Sequence, residues 1–219
     1  MNAARRQAHG PSRRIVIAGT GGQGVLTVAR VLCDYFVERG HHVVSGQLHG
    51  MAQRGGAVQS CVIVDGGISP VIPSGRADFV VGLEPVETAR ALPLMSSRTV
   101  VVMNTAPVVP FVLAQRAVSK AEGAEYPDVL QLIACIRAVA PHTFSFDATS
   151  CAVEAGSAKT LNMVMLGCLL GFGFLPCAAE DFWNSVSKGI PSVLKKSNSK
   201  AFRRGVEAAG EFQVVGGAS

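Results

Sequence analysis

Two glycine-bearing segments hold most of the chemistry that this sequence offers. Gly19-Thr20-Gly21-Gly22-Gln23-Gly24 has the spacing G-x-G-x-x-G and stands directly between an apolar run and a helical pattern. Glycines there let the backbone turn sharply and leave N–H groups open at the positive end of a helix dipole. The segment reads either as a site for a diphosphate or other anion, or as a tight turn packed against a neighbouring chain. The second segment, Leu48 to Gly56, brings His49, Gln53 and Arg54 into a loop made bendable by Gly50, Gly55 and Gly56. Arg54 carries a planar cationic fork suited to carboxylate or phosphate, and His49 exchanges protons near neutral pH. The alternative is a surface loop whose Arg and His bond backbone carbonyls or a partner subunit.

What is missing narrows the chemistry. A dinucleotide site of the usual kind has Asp or Glu about 20 residues past its glycines. Here that place holds Val44-Ser45-Gly46-Gln47, which argues against NAD and FAD but not against a ligand held by its phosphates alone. Glu84, Asn104 and Asp147 each follow an apolar run, where open α/β sheets place their ligand crevice and where helix caps also stand. No Ser-His-Asp order, metal-ligand spacing or paired carboxylate appears, so the sequence supplies no self-sufficient catalytic set.

The elements that must position these loops follow from hydrophobic period. Arg14 to Ala18 is a nearly continuous apolar run and predicts a central strand. From Gln23 the period becomes helical, with Val25, Val28, Leu32 and Phe36 on one face and Gly40 as a stop, and His42 to Ser45 predicts the next strand of a βαβ unit. Ala57 to Val64 predicts a strand, and Asp65-Gly66-Gly67 predicts a hairpin into Ile68 to Ile72. Strands are expected at Asp78 to Leu83, Thr99 to Met103 and Thr143 to Phe146, with helices at 85–92 and 127–140 and an excursion over 105–128. Past Asp147 the pattern is helical. The sum is a three-layer, Rossmann-like α/β fold: a mostly parallel but mixed sheet with a β-hairpin and a helical C-terminal part. A single domain over 14–209 is expected, with a basic tail over 1–13 and a short tail over 210–219.

Charge and composition exclude further classes. The net charge of +5 includes four arginines in Met1 to Arg14, and a second basic stretch runs from Lys188 to Arg204 without a carboxylate. Residues 15 to 187 hold ten basic and thirteen acidic groups, so no basic stripe marks a nucleic-acid binder. The six cysteines form no C-x-x-C pair and no cluster-binding set, and those inside apolar segments, as at Cys33, Cys61 and Cys168, read as small buried hydrophobes in a reducing cytoplasm. The longest apolar run, Met163 to Pro176, is too short and too glycine-rich for a membrane span and predicts a buried helix.

Four stretches taken together resemble one family. They are Ile17 to Gly24, His49-Gly50-Met51-Ala52-Gln53-Arg54-Gly55-Gly56, the strand end at Glu84-Pro85, and Ala155-Gly156 followed by Asn162 and Gly167. From about Arg14 to Arg204 the chain resembles the gamma-type domain of 2-oxoacid:ferredoxin oxidoreductases. Its second loop is similar to that of the indolepyruvate type of beta subunit, whereas pyruvate-type members differ before the shared Arg-Gly-Gly. Ser157 stands where Asn is expected, and the arginine-rich start has no counterpart in the family.

The resemblance implies a cytoplasmic, thiamine-free subunit, inactive alone, whose large partner holds thiamine diphosphate, Mg2+ and [4Fe–4S] clusters. The complex would convert an aryl 2-oxoacid and coenzyme A to acyl-CoA and CO2 while reducing ferredoxin. This chain would cover the active-site entrance and help bind coenzyme A through Gly19, Gly21, Gly22, Gln23, Gly24, His49, Gln53, Arg54, Gly55 and Gly56, with no catalytic or metal-binding residue of its own. Two other readings remain open: an independent nucleotide-binding oxidoreductase, and a purely structural subunit of a pyruvate or 2-oxoglutarate ferredoxin oxidoreductase.

Overall fold

A computed structural model describes residues 12–49, 56–108 and 125–216. The strands are β1 (Arg13–Thr20), β2 (Val43–His49), β3 (Ala57–Val64), β4 (Phe79–Gly82), β5 (Val100–Asn104) and β6 (Thr143–Phe146). They form one sheet in the order β2-β3-β1-β4-β5-β6, in which β3 runs antiparallel to both neighbours and β1, β4, β5 and β6 are parallel. The helices are α1 (Val25–Glu38), α2 (Pro85–Arg90), α3 (Val129–Val139), α4 (Ala148–Glu154), α5 (Leu161–Gly171), α6 (Ala179–Val186) and α7 (Ser192–Gly216).

Alternation along each strand divides the core in two. Ile15, Ile17, Val62, Val81 and Val102 face α1, α4, α5, α6 and α7, while Val16, Cys61, Ile63, Val80 and Val101 face α2 and α3. Both faces are covered, which explains why the parallel strands read as unbroken apolar runs. The three-layer α/β architecture expected from the sequence is therefore present. Helix α5 is apolar around its whole circumference because it is buried between the sheet and α7. Its contact with α7 is glycine-close: a Cβ on Gly205 would lie 2.0 Å from the Val164 carbonyl oxygen. Helix α7 continues past Ala209 to Gly216, and Phe212 packs on Phe144 with ring centroids 5.5 Å apart.

Two local expectations need correction. Ile68 to Ile72 is not a strand, and no hairpin forms at Asp65-Gly66-Gly67. The turn signal is real, since Asp65 and Gly67 take positive φ of 55° and 74°. However, β3 is already hydrogen-bonded on both edges, to β1 and β2, so no edge is left for a returning strand. Ile68 is 94% exposed, and Pro70 instead packs on Gly46, where a Cβ would come within 2.5 Å of its ring. The hairpin of the sheet is β2–β3, closed by the segment between His49 and Ala57. The second correction concerns β2, which runs in the direction of β1 but is separated from it by β3.

Candidate functional site

Strand β1 ends at Thr20, and the chain turns through Gly21, Gly22 and Gly24 before α1 begins. Gly22 and Gly24 have φ of 101° and 88°, a left-handed backbone that favours glycine. Gly24 is the N-cap residue of α1, and no side chain caps that end. The first intrahelical bond is Val28 N–H to the Gly24 carbonyl, 3.0 Å, so the preceding N–H groups of the first turn have no partner within the helix. A hollow of about 250 Å3 adjoins them, lined by Thr20, Gly21, Gly22, Gly24, Leu26 and Val58 among others.

The turn is held from inside by Gln23. Its Oε1 accepts from the Thr20 N–H at 2.8 Å, and its Nε2 donates to the Leu83 carbonyl at 3.0 Å. Both ends of this amide thus bond backbone, and the side chain belongs to the scaffold of the turn. From the other side Asn162 abuts Gly24, where an added Cβ would lie 2.8 Å from its Nδ2. Leu83 and Asn162 are distant from the glycines in sequence and join the turn only through the tertiary fold. In the sequence Asn162 stands out as a polar residue inside an otherwise apolar helix and as part of the fourth stretch of the family resemblance, but neither signal places it against the turn.

The second loop leaves the sheet at the same end. His49 is opposite Val58, and Ala57 is opposite Thr20, so both ends of the 50–56 connection flank the glycine turn. A direct bond joins the two loops: Gly21 N–H donates to the Gly56 carbonyl at 2.9 Å. Gln53, Arg54 and Gly55 lie outside the described residues, as does the side chain of His49.

The other polar residues at strand ends act as caps and braces. Asn104 is fully buried; its Nδ2 donates to the Leu83 carbonyl (3.0 Å) and Thr149 Oγ1 (3.0 Å), and its Oδ1 accepts from Ala148 N–H (3.1 Å). Glu84, 2% exposed, accepts from Glu87 N–H at 3.0 Å, which starts α2, and from the Tyr126 hydroxyl. Burial raises the Tyr126 phenol pKa, and the hydrogen bond and charge of Glu84 add to it. Glu87 is likewise raised, chiefly by burial. Asp147 accepts from Ser150 N–H at 2.8 Å and starts α4.

In the basic C-terminal stretch two cations serve the fold. Lys200 donates to the Glu154 carbonyl (2.6 Å), and Arg204 pairs with Glu154 (2.9 Å) and Glu207 (3.2 Å).

Comparison with known proteins gives this geometry a family. The model of the pyruvate ferredoxin/flavodoxin oxidoreductase family matches residues 14–208. The indolepyruvate oxidoreductase subunit IorB of Methanothermobacter thermautotrophicus is 34% identical over 197 residues, covering 90% of this chain and 97% of that protein. Its namesake in Archaeoglobus fulgidus is 33% identical over 195 residues, 89% and 94% of the two chains. The gamma subunit of a keto/oxoacid ferredoxin oxidoreductase from Geobacter sulfurreducens shares the fold, with TM-score 0.61 and 22% identity over 91% of this chain and 99% of that one. A 2-oxoglutarate:ferredoxin oxidoreductase from Magnetococcus marinus contains the same fold as part of a longer chain, with TM-score 0.64 and 16% identity over 93% of this chain and 32% of that one. With matches of that extent, the chain belongs to the pyruvate ferredoxin/flavodoxin oxidoreductase family.

Proposed function

We propose that this chain is the thiamine-free subunit of an indolepyruvate-type 2-oxoacid:ferredoxin oxidoreductase located in the cytoplasm. The observation that carries the reading is near full-length identity of about a third to two proteins named indolepyruvate oxidoreductase subunit IorB. The complex would cleave the bond between the two carbonyl carbons of an aryl 2-oxoacid and release CO2. It would join the remaining acyl group to the coenzyme A sulfur and pass two electrons to ferredoxin, with loss of the thiol proton and the acid proton. Among the described residues no three His, Cys, Asp or Glu side chains converge on a point. In this reading magnesium, the iron–sulfur clusters and thiamine diphosphate belong to a large partner subunit. Also among the described residues, no helix is long and apolar enough to cross a membrane.

The part left to this chain is anion binding at the mouth of the partner's site. The uncapped first turn of α1 offers backbone N–H groups, and the loop bonded to it through Gly21 and Gly56 carries Arg54. Coenzyme A is the phosphate-rich substrate of the reaction, and an Arg fork beside a helix N-terminus suits one of its phosphates. In this reading Gly19, Gly21, Gly22, Gly24, Gly55 and Gly56 would shape the wall, with His49 at the end of β2 and Gln53 in the connection that follows it contributing from the second segment. The bonds of Gln23 to Thr20 and Leu83 favour a positioning role for that residue.

The test is a half-reaction assay on the reconstituted complex. Arg54→Ala should raise the KM for coenzyme A by an amount equivalent to about 1.5 to 3 kcal/mol, with the decarboxylation step intact. Gly21→Val should be more severe, because a side chain there covers the N–H groups. Normal coenzyme A kinetics with defective assembly would make both loops structural.

A further inference from the structure

Strand β2 is the outer strand of the sheet, and among the described residues it pairs with β3 alone. Two bonds show which of its backbone groups are left over. The His42 carbonyl accepts from Asp65 N–H at 2.8 Å, and the Gly46 carbonyl accepts from Ser60 Oγ at 3.0 Å, so the even-numbered residues turn their polar groups toward β3. Successive residues alternate, and the N–H and C=O groups of Val43, Ser45 and Gln47 therefore face outward, without a partner among the described residues.

An open edge of this kind is a template for another strand, and proteins commonly blunt it with charge, proline, a bulge or a short strand. None of these protects β2. Its seven residues, Val43-Val44-Ser45-Gly46-Gln47-Leu48-His49, include no proline and no Asp, Glu, Lys or Arg, and their register with β3 is unbroken. The opposite edge is different: β6 has four residues, and its Phe144 and Phe146 pack on Phe212. Apolar side chains also flank the open edge. Leu48 is 67% exposed and Val71 73%, and both line a hollow of about 140 Å3 with Pro70 and Cys61.

We propose that β2 pairs antiparallel with β2 of a second copy of this chain, making one continuous sheet across a two-fold axis at Gly46. The strand selects this occupant because it complements itself. With the axis at Gly46, the outward groups of Val43 meet those of His49 and the outward groups of Ser45 meet those of Gln47, which gives about eight backbone hydrogen bonds. Val44, Gly46 and Leu48 lie on the α2–α3 face with Cys61 and Ile63, while Ser45 and Gln47 lie on the α1 face with Val62. Exposed Leu48 then covers Val44 of the second copy, Ser45 meets Gln47, and no charge is buried. Gly46 brings no side chain to the axis, and the Pro70 ring packed on it lies beside its counterpart. Strand pairing alone buries less than the roughly 1,200 Å2 of a standard interface, so the dimer is weak, with Kd of about 1 to 100 µM. The inference rests on the sheet edge and is independent of the role proposed for the glycine turn.

The experiment is sedimentation velocity on the full chain from about 1 to 500 µM, with amide hydrogen exchange read by NMR at both ends of that range. A monomer–dimer equilibrium is expected, and exchange at the Val43, Ser45 and Gln47 amides should slow as the dimer fills. Ser45→Lys with Gln47→Lys sets lysine against lysine twice across the axis and should raise Kd about tenfold. Ser45→Lys with Gln47→Glu sets lysine against carboxylate and should restore the dimer, while the far-ultraviolet circular dichroism of both variants matches wild type. A chain still monomeric at about 500 µM would overturn the proposal, as would a dimer in which those three amides exchange freely, or equal Kd for the two double variants. Protection that arises only when the large subunit is added would also overturn it, by giving the edge to a strand of that subunit.

Discussion

Replacing Gln23 by Ala separates a scaffold role from a ligand role. The side chain makes two backbone bonds, from Thr20 N–H at 2.8 Å and to Leu83 O at 3.0 Å. Leu83 O keeps a second donor in Asn104 Nδ2, so its loss is one ordinary bond, about 0.5 to 1.5 kcal/mol. Thr20 is 5% exposed, and its N–H would be left buried without an acceptor, a cost of about 1 to 3 kcal/mol. The expected destabilisation is thus about 2 to 4 kcal/mol, which for a chain of this size lowers Tm by about 5 to 15 °C. Gln23→Glu adds a diagnostic of sign. A carboxylate can still accept from Thr20, but its second oxygen would face the Leu83 carbonyl, which favours the protonated form and raises the folded-state pKa. A group with a raised folded pKa contributes stability below its unfolded value, about 4.3 for Glu, and loses it as pH rises through the folded value. Gln23→Glu should therefore lie closest to wild type in acid and fall behind it at neutral pH. Thermal melts of wild type and both variants from pH 4 to pH 8 are the assay. If Gln23→Ala keeps the wild-type Tm while the reconstituted complex loses affinity for coenzyme A, the amide contacts ligand and the scaffold argument fails.

Two further outcomes follow from named groups. Burial pushes the Cys168 thiol up to about 12 and Cys177 to about 11, so a maleimide added to native protein at pH 7 should label exposed Cys135 first and leave Cys168 unmodified until the chain is denatured, as read by mass spectrometry. Asp181 is held below its usual range first by the Tyr35 hydroxyl and then by Arg39, at 2.7 and 2.8 Å. A depressed carboxylate contributes stability above its unfolded pKa and loses it as pH falls through the folded value. The Tm deficit of Asp181→Asn should therefore be present at pH 7 and shrink below about pH 4, and a deficit that does not change with pH would refute the coupling.

Much of this fold was legible because local pattern and tertiary environment agree. The run Ile15-Val16-Ile17-Ala18 is apolar on both faces because β1 lies in the middle of a covered sheet, and α5 lacks a polar face because none of its sides meets water. What misled was nonlocal. Asp65-Gly66-Gly67 turns as its residues demand, but whether a strand follows depends on a free edge of β3, and both edges are taken by the earlier strands β1 and β2. The candidate site divides in the same way. Gly22 and Gly24 announce a left-handed turn by their type alone. Gln23 looks like any polar residue in a glycine loop until Leu83, 60 residues on, is brought within 3.0 Å.

The position of β3 also decides where an anion would sit. In a dinucleotide fold the second strand lies beside the first and its terminal carboxylate reaches the ribose. Here β3 fills that place, so at about 4.8 Å per strand the end of β2 is about 10 Å from β1. The crevice between β1 and β4, where α1 leaves to one face and α2 to the other, is closed by the Gln23 and Asn104 amides, both donating to Leu83 O. A ligand entering there would have to displace both. The uncapped N–H groups of α1 adjoin instead the hollow beside Val58, next to the ends of the loop that carries Arg54. Two substitutions distinguish the locations. Val58→Trp, filling the hollow, should raise the KM for coenzyme A in the reconstituted complex with little change in Tm. Asn104→Ala should leave the KM of the folded complex unchanged and lower Tm, because the N–H groups of Ala148 and Thr149 lose a shared acceptor. The opposite pattern, with Asn104→Ala weakening coenzyme A binding and Val58→Trp silent, would move the anion into the β1–β4 crevice and undo this placement.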